Sequence, residues 1–139
     1  MTSQLENLTK SGGSLTIQPF DDKEFVGLRD SGLIRLNDAD NPELSLESRF
    51  DLAYNAAHSL SLAALRLKGY RASNRYIVFQ VLPHTLGLGP EVWRVLDMAH
   101  QKRNRSEYEG LIDIDERFVN ELVAAAQTVA DCVERLKLP

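Results

Sequence analysis

Apolar residues recur at alternating intervals of four and three along two long stretches of the chain. Leu46, Phe50, Ala53, Ala57, Leu60, Ala64 and Leu67 keep that rhythm without a miss. Phe118, Leu122, Ala125, Val129, Cys132 and Leu136 repeat it. Side chains three and four apart lie over one another, so each series lines one face of a helix packed in a bundle. The first predicts a helix from about Ser45 to Lys68, stopped by Gly69, and the second one from about Asp115 to Leu136. In the first, Ala53, Ala56, Ala57, Ala63 and Ala64 are short enough to let a neighbouring backbone come close.

Three further segments complete the pattern. Asp21 and Asp22 follow Phe20 as acids do in a first helical turn, and a helix is expected from about Asp21 to Asp38, broken or bent at Ser31-Gly32. Asn41-Pro42 marks a turn. Pro90-Glu91 opens a helix to about Glu109, with Val92, Val95, Leu96 and Ala99 inside and Gly110 as its left-handed stop. Arg75 to Leu82 is rich in β-branched and aromatic residues, a strand signal taken alone. No second strand-like run is evident to pair with it, so a buried helix ending near Leu86 is predicted instead. Ser11-Gly12-Gly13-Ser14 reads as a flexible link. It makes residues 1–14 an arm and residues 15–139 one domain: an all-α, up-and-down bundle of four main helices plus an N-terminal helix.

With 139 residues the chain is long enough for one core. No apolar run approaches the roughly 20 residues that span a bilayer, and Met1 to Lys10 shows no secretory pattern, so a cytoplasmic protein without membrane contact is expected. The single cysteine, Cys132, excludes an internal disulfide and is expected to be a buried, inert thiol. Net charge is −4, yet from Arg66 to Arg105 eight basic residues face two acids, a local surplus of six. Local patches, not net charge, decide where a polyanion docks. The same surplus also suits a solvated face or contact with an acidic surface of a second copy.

The candidate chemistry lies in the run Arg103-Asn104-Arg105-Ser106-Glu107-Tyr108-Glu109-Gly110. Asp97, His100, Asn104 and Tyr108 fall one turn apart on the predicted helix. Arg103 suits phosphate oxygens through its planar fork, or pairs with Glu107 one turn on. Asn104 can orient the Tyr108 phenol, and His100 can supply acid–base function. Arg103 and Tyr108 diverge by about 140° on an ideal helix, so they share a ligand only at a distorted helix end or between two copies. Arg71, Arg75, Lys102 and Arg105 are candidate nucleic-acid contacts, with Tyr76 available for base stacking. His58 and His84 are expected to make structural hydrogen bonds. One cysteine and the absence of paired histidines give no zinc motif, and Gly87-Leu88-Gly89-Pro90 lacks the lysine of a phosphate loop. No metal or cofactor is expected.

Three features together resemble the HEPN superfamily of compact helical bundles, over roughly Ser45 to Leu136. Tyr54-Asn55-Ala56-Ala57-His58 lies in a long helix ending at Gly69-Tyr70-Arg71; a short buried helix around Arg75 to Leu86 follows; and Arg103-Asn104 stands near the end of a later helix. The resemblance implies a homodimer whose arginine and histidine work on an RNA phosphate at a shared cleft. Here Tyr108 occupies the histidine position. The implied function is RNA interaction of a toxin–antitoxin or defence type, with weak or lost metal-independent ribonuclease activity. In that reading Arg103 holds the phosphate, Asn104 orients the cleft, and Tyr108 or His100 moves the proton. A non-enzymatic module that binds a nucleotidyltransferase or another regulatory protein stands beside it, and a purely structural bundle is the third reading.

Overall fold

A computed structural model of the chain describes residues 4–10 and 13–139. Helix makes up 69% of it, with one small two-stranded sheet, so the class is all-α. In chain order the elements are α1 (Gln4–Asn7), β1 (Leu15–Ile17), α2 (Asp22–Ala39), α3 (Leu46–Leu67), β2 (Tyr70–Ala72), α4 (Arg75–Gln80), α5 (Leu82–Thr85), α6 (Pro90–Glu109) and α7 (Glu116–Glu134). The helix starts are capped by side chains. Asp21, Ser45, Asn74 and Asp115 accept hydrogen bonds from the backbone N–H groups of Glu24, Ser48, Ile77 and Phe118. Gly110 ends α6 at φ 77°, as glycine can and most residues cannot.

Helix α3 is the axis of the fold. Phe50, Ala53, Ala57, Leu60 and Ala64 of its regular series are buried, and α2, α6 and α7 pack around it. Helices α2 and α3 form an antiparallel hairpin. At Gly32 they approach too closely for a side chain: a β-carbon there would lie 2.7 Å from Leu60 Cγ and 3.3 Å from the Ala56 carbonyl oxygen. The expected break at Ser31-Gly32 is therefore absent, and α2 runs through it. Nor is α2 an accessory to four other helices. It is a full member of the bundle with α3, α6 and α7. At the hairpin's closed end Arg49 is buried, and its Nε donates to the Ala39 carbonyl (2.8 Å) while Nη2 donates to Asn120 Oδ1 (3.1 Å). One side chain so ties α2, α3 and α7.

Three other expectations need correcting. Arg75 to Leu86 is not one helix; it breaks at Val81 into α4 and α5. The chain does hold two strands, though Arg75 to Leu82 is not one of them. β1 and β2 pair antiparallel, Leu15 with Ala72, Thr16 with Arg71 and Ile17 with Tyr70. Three-residue strands are too short to show alternation in sequence. Cys132 is half-buried, beside a guanidinium nitrogen of Arg135 at 3.5 Å. Of the expected flexible link, Ser11 and Gly12 lie outside the described residues, and Ser14 leads into β1 by accepting from the Ser73 N–H (3.0 Å). Leu5 of α1 is buried in a small second core with Leu15, Leu65, Ile77, Val78 and Val81.

The sheet is anchored by a buried charge. Arg66 is 1% exposed and pairs with Glu24. It also donates to the carbonyls of Gln18 (3.0 Å), Pro19 (2.7 Å) and Tyr70 (3.2 Å). Arg71 reaches the second Glu24 oxygen at 2.8 Å. Burial by itself raises the Glu24 carboxyl, but hydrogen bonds and charge from Arg66 and Arg71 outweigh it and hold it below its usual 4.5. Between 4.5 and that lowered value the unfolded chain binds more protons, so stability falls as pH falls through this window. Glu24→Gln is expected to cost about 2–4 kcal/mol at pH 7, because Arg66 loses its counter-charge while Glu24 keeps some contact with water. It should also flatten the acid limb. Urea unfolding of both proteins from pH 3 to 7 measures this.

Candidate functional site

A cluster of polar and aromatic groups gathers where α3, α4 and α6 meet, beyond the last apolar turn of α6. Its centre is Tyr54, fully buried on α3. The Tyr54 hydroxyl lies 2.9 Å from His100 Nδ1, and Asn104 Nδ2 lies 3.1 Å from His100 Nε2. With its amide nitrogen toward the ring, Asn104 donates to Nε2, which leaves the ring proton on Nδ1. Two guanidiniums sit over the Tyr54 ring: Arg103 at 5.3 Å and Arg75 at 5.8 Å from its centroid. Each contact is worth about 0.5–2 kcal/mol, depending on its exclusion from water. Arg75 also donates to Asn55 Oδ1 (3.1 Å), and Asn55 is held by the Asp51 carbonyl (2.8 Å).

Helical geometry explains which predicted residues enter the cluster. Seven residues is nearly two turns, so Arg103 continues the inward stripe of Leu96. Past Ala99 that stripe has no core left to enter, and the long side chain folds over Tyr54 instead. Steps of four residues drift by about 40° each, so the series His100, Asn104, Tyr108 winds outward. His100 is half-buried, Asn104 is exposed, and Tyr108 is 92% exposed. Among the described residues no hydrogen bond or ring contact ties Tyr108 to the cluster. Arg103 keeps its sequence-predicted partner as well, Glu107 Oε1 at 3.5 Å.

The basic surplus divides among separate places. Arg66 and Arg71 are engaged by Glu24. Lys102 turns to the other side of α6, where Nζ donates to the Asp113 carbonyl (2.7 Å) and lies 5.2 Å from the Phe118 ring centroid. Arg105 is exposed on the outer face. Of the four candidate nucleic-acid contacts, only Arg75 joins Arg103. Tyr76 does join them, with an exposed ring tilted against His100 at 5.8 Å. Among the described residues no group of three or more histidine, cysteine or acidic side chains is placed to hold a metal.

The resemblance drew on Tyr54-Asn55-Ala56-Ala57-His58 without giving Tyr54 or Asn55 a role, and the structural hydrogen bond expected of His58 is replaced by a ring contact with Phe79. His58 lies one turn from Tyr54 on α3, and both rings meet Phe79 edge-on, at 6.1 and 5.9 Å. The available signal was two polar aromatics four residues apart beside an otherwise apolar stripe. Burial pushes His58 down to about 4, helped by the charges of Arg75, Arg103 and His100. Burial also lowers His100 below 6.5; Asp97 opposes this, and Arg103 and Arg75 add to it. Both imidazoles are therefore neutral at pH 7. Burial raises Tyr54 above 10 against the hydrogen bond and charge of Arg75, so its phenol keeps its proton.

Two outcomes follow. Tyr54→Phe is expected to lose about 1 kcal/mol in urea unfolding, since His100 Nδ1 loses its partner. A histidine whose folded value is depressed resists protonation only in the fold, so His58 makes stability fall as pH drops from 6.5 to about 4. Melting temperatures of His58→Gln should depend less on pH across that interval than those of the wild type.

No protein-family model matches the chain, and comparison with curated proteins and with solved structures finds no match.

Proposed function

We propose that this helical bundle binds single-stranded RNA at the Tyr54 cluster and cleaves it weakly without a metal. The observation that carries the reading is the pair of guanidiniums on one buried phenol, beside a neutral histidine and an exposed aromatic ring. Arg75 meets an amide rather than a carboxylate, and Arg103 meets only the exposed Glu107, one turn away on its own helix. A phosphate can displace so weak a partner, and two forks oriented by stacking suit its oxygens. The Tyr76 ring offers a stacking face for a base, worth about 1–3 kcal/mol.

The chemistry then falls to His100 rather than Tyr108. Asn104 is exposed and can leave Nε2 to a substrate hydroxyl, while Nδ1–H stays on the Tyr54 oxygen. Nε2 takes the 2′-hydroxyl proton as that oxygen bonds to phosphorus. The P–O5′ bond breaks, the imidazolium returns the proton to the 5′-oxygen, and a 2′,3′-cyclic phosphate remains. Arg75 and Arg103 stabilise the charge that builds on the phosphoryl oxygens. The HEPN resemblance supports the same assignment of Arg103 and adds a shared cleft between two copies. A second reading, docking of a protein partner, is favoured by the exposed Tyr108 and Leu111 at the tip of α6.

The test is binding and cleavage of unstructured RNA by wild type and variants across salt, with metals chelated. Wild type should show affinity falling steeply with salt. Arg103→Gln should abolish cleavage and reduce the salt slope by about one, as loss of one phosphate contact does. Tyr108→Phe should leave cleavage unchanged. RNA binding that is absent or insensitive to salt and to Arg103 would overturn the reading.

A further inference from the structure

We infer that Asn55 is the positioning residue of the anion site. Its amide holds the Arg75 guanidinium in place beside Tyr54 and leaves that positive charge for the ligand. This rests on reading Arg75 and Arg103 as an anion clamp. No covalent bond changes.

The hydrogen bonds admit one arrangement of the amide. Arg75 Nη1 donates to Asn55 Oδ1 (3.1 Å), and Asn55 Nδ2 donates to the Asp51 carbonyl one turn back on α3 (2.8 Å). A guanidinium only donates and a carbonyl only accepts, so a reversed amide would lose both bonds. Helix α3 therefore presents a fixed acceptor oxygen to the first residue of α4. The neighbouring Tyr54 ring is the second support, with the Arg75 guanidinium carbon 5.8 Å from its centroid. Two contacts from adjacent residues hold a long side chain that would otherwise sample many rotamers.

The amide also decides what happens to the charge. Arg66 and Arg71 share the Glu24 carboxylate, and Arg103 pairs with Glu107. Among the described residues no ion pair holds Arg75. Arg49 too meets an amide, that of Asn120, but it is buried and its Nε is taken by the Ala39 carbonyl. Arg75 is only half-buried, so an anion from solvent can reach it. A carboxylate in place of Asn55 would make the same contact with Nη1 and neutralise the charge as well. The side chain present orients the fork without cancelling it.

The experiment measures binding of two probes by calorimetry: inorganic sulfate, and an all-deoxy single-stranded oligonucleotide that lacks the attacking 2′-hydroxyl. Wild type is compared with Asn55→Ala, Asn55→Asp, Arg75→Gln and the double variant Asn55→Ala/Arg75→Gln. Asn55→Ala should weaken both probes about threefold to tenfold, the cost of fixing one long side chain on binding. It should leave the salt slope for the oligonucleotide unchanged, since the charge remains. In the Arg75→Gln background the same change should cost nothing, because Asn55 then has nothing to position. Asn55→Asp should weaken both probes about tenfold while the melting temperature holds, because the tie from α3 to α4 survives and the free charge does not. A merely structural amide would lower the melting temperature on Asn55→Ala and leave binding alone. If Asn55→Asp binds as wild type does, or Asn55→Ala costs as much without Arg75 as with it, the inference is overturned, and the RNA reading survives on salt-dependent oligonucleotide binding. If sulfate shows the expected pattern but the oligonucleotide does not bind, the inference stands for a small oxyanion and the RNA reading falls. If wild type binds neither probe, both fall.

Discussion

The burial of Tyr54 is the interaction on which the site depends. A phenol in a core needs a partner for its hydroxyl, and this one has His100. That single bond fixes which way the imidazole faces and so where Asn104 must stand. The ring then offers a π-face where three helices come together, and two arginines that would otherwise reach into solvent lie across it. A scaffold requirement and a chemical arrangement are the same set of contacts. The cluster holds positive charge next to neutral imidazoles because burial and like charge both oppose protonation there.

The small residues of α3 make this possible. Ala53, Ala56 and Ala57 on the α3 turn that carries Tyr54 are fully buried, so neighbouring helices approach closely and the larger aromatic is enclosed on all sides. Gly32 plays the same part from α2, where any side chain would meet Leu60. At the far end of α3 the demand is met differently. There Arg66 is enclosed with Glu24 and three carbonyls, and polar satisfaction substitutes for apolar packing. Tyr54 in the first half of α3 and Arg66 at its last turn are thus enclosed by unlike means, cation on ring at one and cation on carboxylate and carbonyl at the other.

Much of the helical architecture could be read from the chain, because period, caps and stops agreed. Pro90 and Gly110 bound α6 where the sequence predicts, and the Leu46 to Leu67 series became the buried face of α3. The small sheet could not be read, since three residues a strand leave no period and its partners lie more than fifty residues apart. The Ser31-Gly32 pair misled because glycine's backbone freedom and its lack of bulk look alike in sequence, and here only the second matters. At the site, Arg103 and His100 were legible from their place on α6. Tyr54 and His58 were not, because a polar aromatic beside an apolar stripe gives no clue to its partner until the helices are docked. The separation of Arg103 from Tyr108 followed from helix geometry alone, and the outward position of Tyr108 agrees with it.

The pairing of β1 with β2 has a consequence for the order in which the chain assembles. Joining Ile17 to Tyr70 directly would close a loop of some fifty residues, an entropic demand that three short backbone contacts cannot meet. The α2–α3 hairpin removes that demand, because folding it back on itself carries the segment after Ile17 to the segment before Tyr70. The strands therefore register a hairpin already formed. Arg66 contacts both flanking segments, so its full set of bonds to Gln18, Pro19 and Tyr70 requires those segments to lie side by side.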